Sequence, residues 1–231
     1  MKKWTDLPAE MQSEEVRPYY ELLKKKKLSR FWKRVFDITV SLILLILLSP
    51  VFLVLAIAIK LDSKGSVFYR QVRITRYGRE FRIHKFRSMV QNADRLGAQV
   101  TVNQDDRITK VGRIIRKCRL DEIAQLLDVF SGKMTFVGTR PEVPKYVKSY
   151  TAEMLATLLL PAGVTSLASI RYKDEAEILN SDEDIDKIYT EKILPEKMKY
   201  NLDSLKKFSF WSDIKIMFKT VAVIFNHKGA K

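Results

Sequence analysis

The stretch Arg116-Lys117-Cys118-Arg119-Leu120-Asp121-Glu122-Ile123 sets two adjacent carboxylates at the end of a dense run of cations. Lys85, Arg87, Arg107, Lys110 and Arg113 lie upstream, and Gly138-Thr139-Arg140-Pro141-Glu142 follows. Neighbouring anions among cations suit a site that holds a divalent metal and phosphate groups together. The metal takes hard oxygen ligands, and guanidinium forks match phosphate oxygens. The same pattern also fits the first turn of a helix, where Asp and Glu complement the positive end of the dipole. On these residues alone both readings stand.

Charge bounds the partners. The chain has 231 residues and a net charge of +15, which calls for an anionic partner: nucleic acid, a phospholipid surface or phosphorylated substrates. A single cysteine, Cys118, gives no disulfide framework and no thiolate metal site, and suits a reducing compartment. The two histidines, His84 and His227, are too far apart in sequence to suggest a zinc site. A hard cation is the metal that remains.

Something must hold this chemistry at a surface. Val35 to Ile59 is apolar except for Asp37, Thr39, Ser41 and the pair Ser49-Pro50. A continuous helix over it would be about 37 Å long, enough to cross a bilayer core. The polar residues before it and the length of the run argue against a signal peptide. Pro50 removes one backbone hydrogen bond and clashes with the Ile46 carbonyl, and Ser49 can satisfy a freed group locally. Basic residues flank both ends: Lys24 to Lys27, Arg30, Lys33 and Arg34 before, Lys60, Lys64, Arg70, Arg73, Arg76 and Arg79 after. Positive charge marks the cytoplasmic side, so a helix-break-helix hairpin entering and leaving through one leaflet fits both ends. A kinked single-pass helix is the alternative.

The remaining pattern divides into four regions: a polar basic lead (1–29), the hairpin (30–62), a catalytic domain (63–200) and a C-terminal amphipathic helix with its tail (201–231). The lead reads as partly helical, resting on anionic lipid or mobile. Ser66–Ile74 and Glu80–Arg87 alternate around Arg76-Tyr77-Gly78-Arg79, which predicts a β-hairpin. Helical spacing predicts helices over Ser88–Leu96, Thr109–Lys117, Asp121–Phe130 and Val143–Leu160. The acidic block of Asp174, Glu175, Glu177, Asp182, Glu183, Asp184 and Asp186 matches no calcium-loop spacing and reads as a solvated face. Phe208 to Phe225 is apolar at helical spacing with lysines on another face, as in interfacial helices or ordinary packed ones. The fold class expected is α+β, mainly helical: a re-entrant membrane hairpin, a compact cytoplasmic domain with a small β-hairpin, and amphipathic interfacial helices.

Several motifs in order carry a resemblance. They are Arg30-Phe31-Trp32-Lys33-Arg34-Val35-Phe36-Asp37, Ser49-Pro50, Lys85-Phe86-Arg87-Ser88-Met89, Asp106-Arg107-Ile108-Thr109-Lys110-Val111-Gly112, Arg119-Leu120-Asp121-Glu122-Ile123 with Gln125-Leu126, and Val137-Gly138-Thr139-Arg140-Pro141-Glu142. Together they resemble the bacterial sugar transferases, monotopic phosphoglycosyl transferases that begin glycan assembly on a polyprenyl-phosphate carrier. The likeness covers roughly residues 30 to 170 and looks like a minimal form of the family. It departs at Ala124 and Thr139, where the family usually carries proline, and around Pro161-Ala162-Gly163-Val164-Thr165-Ser166.

The resemblance implies transfer of a sugar 1-phosphate from a UDP-sugar to polyprenyl phosphate, undecaprenyl phosphate in bacteria, with release of UMP. It implies Asp121 as nucleophile, Glu122 as a ligand of Mg²⁺, and a covalent aspartyl-phosphosugar intermediate. Lys85, Arg87, Arg107 and Arg140 are the expected substrate phosphate-binding cations, with Arg116 and Arg119 behind them. Ser49 and Pro50 would set the hairpin break. The expected place is the bacterial cytoplasmic membrane, with the catalytic domain on the cytoplasmic face and anionic lipids around it. The product would begin a capsule, exopolysaccharide, O-antigen or glycoprotein glycan. Because each CH₂ of a polyprenyl chain costs about 0.8 kcal/mol to expose, the site must sit at headgroup level. The competing class is a membrane-tethered basic scaffold for anionic lipid or nucleic acid; a carboxylate dyad hinders nucleic-acid binding, so none is expected.

Overall fold

The polar lead is folded. In the computed structural model, which describes residues 1–91, 93, 106–172 and 185–226, two 3₁₀ turns lead into helix α1 (Arg17–Lys25). Pro18 sits in its first turn, where the missing N–H costs nothing. Leu7, Met11, Val16, Tyr19, Tyr20 and Leu23 are buried, packed with Ala156, Leu158, Leu159, Leu202, Leu205 and Phe208. The beginning and the end of the chain therefore share one apolar core.

The long apolar run breaks at Leu48. Helix α2 (Lys27–Leu47) and helix α3 (Ser49–Asp62) meet there at a bend of 60°. Pro50 has no N–H to offer the Ile46 carbonyl, and the Ser49 hydroxyl donates to that carbonyl at 2.8 Å instead. Among the described residues no single helix is long and apolar enough to cross a membrane; only the bent pair together reaches that length and composition. Leu42, Ile43, Ile46, Leu47, Leu53, Val54 and Ile57 are exposed around the bend.

One face of α2 is polar and buried. Lys33, Asp37 and Ser41, spaced four apart, stack on one side of the helix and face the rest of the protein. The Lys33 ammonium donates to the Val137 carbonyl at 2.7 Å and to the Asp213 carboxylate. Asp37 accepts from the Thr135 hydroxyl at 2.7 Å and the Phe136 N–H at 3.2 Å. Arg34 donates to the carbonyls of Val129 and Phe130 at 2.8 and 2.9 Å. At the far end of α3, Asp62 accepts the Val111 N–H at 3.1 Å. Both feet of the hairpin are thus bonded to one folded body.

Strands β1 (Phe68–Ile74) and β2 (Glu80–Phe86) form the antiparallel hairpin that the alternation predicts, with Phe68 opposite Phe86 and Ile74 opposite Glu80. Tyr77 and Gly78 turn the chain with φ of 62° and 70°. The helix expected over Ser88–Leu96 is absent from its described part. Met89 instead bridges Ile108, because the Ser88 carbonyl accepts the Thr109 N–H and the Val90 N–H reaches the Arg107 carbonyl. Backbone groups bonded across to a second segment cannot close a helical turn. Residues 92 and 94–96 of that expectation lie outside the described residues.

Helix α4 (Lys110–Lys117) is capped by the Thr109 hydroxyl, which accepts the Gly112 N–H at 3.0 Å. The helix expected over Asp121–Phe130 is a 3₁₀ turn (Leu120–Gln125) running into helix α5 (Leu126–Phe130). Strands β3 (Met134–Val137) and β4 (Ala162–Thr165) pair in parallel, a contact the sequence pattern did not predict. The helix expected over Val143–Leu160 is interrupted. Helix α6 (Pro144–Val147) stops, and the Thr151 hydroxyl accepts the Met154 N–H at 3.4 Å as a separate 3₁₀ segment (Glu153–Leu159) begins.

Helix α7 (Leu167–Arg171) starts on a Ser166 cap. Helix α8 (Ile185–Ile188) passes through a π turn (Tyr189–Ile193) into helix α9 (Leu194–Lys206), and helix α10 (Phe210–Asn226) follows. Of the acidic block only Asp186 is described, and it pairs with Lys145 and the Tyr146 hydroxyl; Asp174 to Asp184 lie outside. Helix α10 buries Asp213 and Ile216 and exposes Trp211, Phe218 and Val221. The architecture is α+β and mainly helical, with two small two-stranded sheets among the described residues.

Candidate active site

The carboxylate pair stands on a strained bend. Arg119, the residue that delivers the chain from α4 into the 3₁₀ turn, has φ 56° and ψ 26°, a left-handed conformation uncommon for a residue with a Cβ. Leu120 and Ile123 hold the turn against a core of Leu55, Ile59, Phe86 and Ile115. Ala124 is fully buried in that core, so the small side chain there is a packing element. Asp121 and Glu122 are left on the side facing β2.

Glu122 is the hub. Lys85, projecting from β2, donates to its Oε1 at 3.0 Å. Arg140 straddles the same carboxylate, one guanidinium nitrogen on Oε1 and the other 3.5 Å from Oε2. Burial alone would raise the Glu122 pKa, but the charges of Arg140 and Lys85 and their hydrogen bonds outweigh it. The carboxyl is held well below its usual range. Asp121 moves the other way. Burial and the adjacent Glu122 charge push its carboxyl upward, against the pull of Lys85 and Arg116. Two neighbouring acids therefore differ: one is locked as an anion between two cations, and the other is desolvated with no such clamp among the described residues.

Lys85 reaches Glu122 because its strand is fastened next door. His84 donates its backbone N–H to Asp128 Oδ2 at 2.7 Å, and its Nδ1 meets Oδ1 at 2.8 Å. Asp128 belongs to α5, directly after the carboxylate turn, so one buried carboxylate ties turn and strand together. Arg140 is delivered by the β3–β4 pair. The Gly138 N–H reaches the Thr165 carbonyl at 2.9 Å, and the Gly163 N–H reaches the Thr139 carbonyl at 2.8 Å. A Cβ on Gly163 would fall 2.2 Å from the Gly138 nitrogen, so the two chains approach this closely only with glycine. Glu142, two residues on, is buried and accepts from the Tyr189 hydroxyl at 2.7 Å, with Lys197 at 3.7 Å.

The structure brings Asp121, Glu122, Lys85 and Arg140 together and places the other expected residues elsewhere. Arg87 is buried at the carbonyl end of α3, donating to the carbonyls of Lys64 at 2.6 Å, Ser63 at 2.7 Å and Ile59 at 3.3 Å. Arg107 donates to the Ala93 carbonyl at 2.8 Å. Arg116 lies near enough to favour the Asp121 anion, and Arg119 is exposed. Ser49 and Pro50 lie at the hairpin break. Arg73, which alternation marks only as a strand residue, sits beside the cluster, close enough to Lys85 and Arg140 for their charges to act on one another.

A family model for bacterial sugar transferases matches residues 28–227. The chain belongs to the bacterial sugar transferase family. Among curated relatives, an Aeromonas hydrophila protein named UDP-N-acetylgalactosamine-undecaprenyl-phosphate N-acetylgalactosaminephosphotransferase is 36% identical over 87% of this chain and 45% of its own length. A Klebsiella pneumoniae UDP-glucose:undecaprenyl-phosphate glucose-1-phosphate transferase is 37% identical over 86% of this chain and 41% of its own length. A Caulobacter vibrioides protein of the same name is 33% identical over 82% of this chain and 68% of its own length. The chain thus spans less than half the length of the first two relatives.

Among the described residues no three His, Cys, Asp or Glu side chains cluster as a ready-made metal cage. Two adjacent carboxylates nevertheless fit Mg²⁺, which usually takes one or two protein carboxylates and completes its shell with substrate phosphates and water.

Proposed function

We propose that this chain transfers a sugar 1-phosphate from a UDP-sugar to a polyprenyl phosphate, undecaprenyl phosphate in bacteria, releasing UMP. The observation that carries the reading is the pairing of an unclamped, desolvated Asp121 with a Glu122 gripped by Lys85 and Arg140. A carboxylate oxygen of Asp121 attacks the sugar-bearing phosphorus of the donor. The P–O bond to the UMP half breaks, and its electron pair leaves with UMP. A phosphate oxygen of the lipid then attacks the same phosphorus, and the Asp121 carboxylate departs unchanged. Lys85 and Arg140 hold phosphate oxygens and offset the charge that develops on them. Glu122, with Asp121 beside it, would hold Mg²⁺, which supplies charge neutralisation at the diphosphate.

In this reading α2 and α3 form a re-entrant hairpin in the cytoplasmic leaflet. Support comes from the 60° bend, and from hairpin feet that are both bonded to one body and so share one side of the membrane. From Ser41 to Leu48 the helix rises about 10 Å, less than the ~15 Å of one hydrocarbon leaflet. The exposed apolar faces of the hairpin and of α10 meet lipid tails, and the surrounding lysines meet anionic headgroups. The carboxylate pair then lies where a membrane-bound phosphate can reach it.

The test is UMP release by the protein in nanodiscs with Mg²⁺, undecaprenyl phosphate and a panel of UDP-sugars. Wild type should turn over at least one donor. Asp121→Asn should abolish turnover with an unchanged melting temperature, and donor-treated wild type should carry a phosphosugar adduct on Asp121 by mass spectrometry. Product formation by Asp121→Asn would exclude the nucleophile, and silence with every donor would favour a non-catalytic membrane scaffold.

A further inference from the structure

The cations nearest the carboxylate pair are already engaged. Lys85 and Arg140 are both engaged with Glu122, and Asp121 stands beside them. Arg116 acts on Asp121, so each of these cations is offset by a site carboxylate, and Arg73 adds a cation that neither carboxylate engages.

Arg73 lies on β1 with its guanidinium held by neutral groups. Nε and Nη2 donate to Gln71 Oε1 at 3.1 and 2.6 Å, and Nη1 donates to the Pro141 carbonyl at 3.1 Å. Among the described residues it makes no ion pair. The acid that acts on it most, Glu142, is already committed to Tyr189 and Lys197. A guanidinium fixed by an amide and a main-chain carbonyl keeps its whole charge, and away from bulk water that charge acts over a longer range. The Pro141 carbonyl belongs to the residue after Arg140, so the charge is pinned next to the cation that clamps Glu122. Gln71 sets the device: an amide oxygen there orients Arg73 without neutralising it, where a carboxylate would do both.

We infer that Arg73, oriented by Gln71, is a positioning and field-setting residue that adds uncompensated positive charge to the candidate active site for a nucleoside diphosphate donor. The inference rests on the reading of the site as a phosphosugar-transfer centre, and its tests separate the two.

Gln71→Glu keeps an acceptor for Arg73 but adds a counter-charge. It should raise the apparent KM for the UDP-sugar about tenfold while kcat and melting temperature stay close to wild type. Arg73→Met should raise KM similarly, and Arg73→Lys, which keeps the charge, should recover most of the loss. Raising the salt concentration should weaken donor binding less in Gln71→Glu than in wild type, because part of the attractive field is already gone. Calorimetric binding of UDP alone should weaken in parallel, which gives a readout independent of turnover.

If wild type is active and Gln71→Glu has an unchanged KM, the inference fails and the transfer reading survives. If Arg73→Lys is as impaired as Arg73→Met, the bond to Pro141 rather than the charge is what matters, and the inference fails. If wild type binds UDP without turning over and Gln71→Glu weakens that binding, the transfer reading fails and the field-setting role stands. If wild type neither binds UDP nor turns over, both fall.

Discussion

Lys33 and Val137, 104 residues apart, are joined by a hydrogen bond of 2.7 Å from the ammonium of a hairpin helix to the carbonyl that ends strand β3. The next residue is Gly138, where the segment carrying Arg140 begins. A charge that reads as a membrane-flanking lysine is therefore an internal strut, and its second bond goes to Asp213 on the last helix. Removing it leaves a buried carboxylate without its cation. Lys33→Met should destabilise the protein by about 3–5 kcal/mol. The double variant Lys33→Met/Asp213→Leu should recover much of that loss. Thermal unfolding in detergent checks both, and a single variant as stable as wild type would remove the strut.

Asp213 also gives the fold a pH dependence of definite sign. Burial raises its carboxyl above the usual value, the Asp37 charge adds to this, and Lys33 opposes. A raised folded-state pKa means that the folded chain binds this proton more tightly than the unfolded chain does. Its contribution to stability is full below the ordinary aspartate range and is lost as pH rises through the raised value. Asp213→Asn removes the titration. The melting-temperature difference, wild type minus variant, should therefore be larger near pH 4 than near pH 7.5, and the opposite trend would contradict the direction of the shift.

Pro50 predicts topology. With leucine in its place an N–H becomes available to the Ile46 carbonyl, which Ser49 now satisfies, and the two helices can join as one. Pro50→Leu should favour a straight span, lower activity and expose a cysteine placed near residue 10 to labelling from the outer face. In the parent protein, labels near residues 10 and 100 should both react only from the cytoplasmic side.

Arg87 separates fold from chemistry. Its guanidinium gathers three carbonyls at the end of α3. Arg87→Met should therefore lower the melting temperature while leaving the donor KM of the folded fraction unchanged. A raised KM at unchanged stability would return Arg87 to the phosphate site.

How much of this was legible depended on the range of the contact. The break at Ser49-Pro50 and the β1–β2 hairpin follow from local chemistry, a proline in an apolar run and an alternation around Tyr77-Gly78. The carboxylate pair was conspicuous because its residue types are rare together among cations. Arg87 was grouped with Lys85 because one motif, Lys85-Phe86-Arg87-Ser88-Met89, holds both, but the strand ends at Phe86 and Arg87 turns to the carbonyls of Ser63 and Lys64. The four-residue β3 and β4 carry too little pattern to register, and their pairing closes a long loop. Lys33 read as a flanking charge, and Asp37 and Ser41 as interruptions of the apolar run, although the three stand four apart. What lay across from them, Thr135 to Val137 and Asp213, was not visible, since no local pattern names a partner a hundred residues away.

On the proposed reading of the helix pair as a membrane anchor, the struts at its feet make that anchor non-portable. Lys33, Arg34, Asp37 and Asp62 supply bonds that the body they pack on needs for its own strands and helix ends. A graft of residues 63–231 onto an unrelated transmembrane helix would bring the body to the bilayer yet leave Thr135, Val129 and Val111 without their partners. Exchange of whole anchors between proteins, by recombination or by design, succeeds here only when those four side chains travel with the graft.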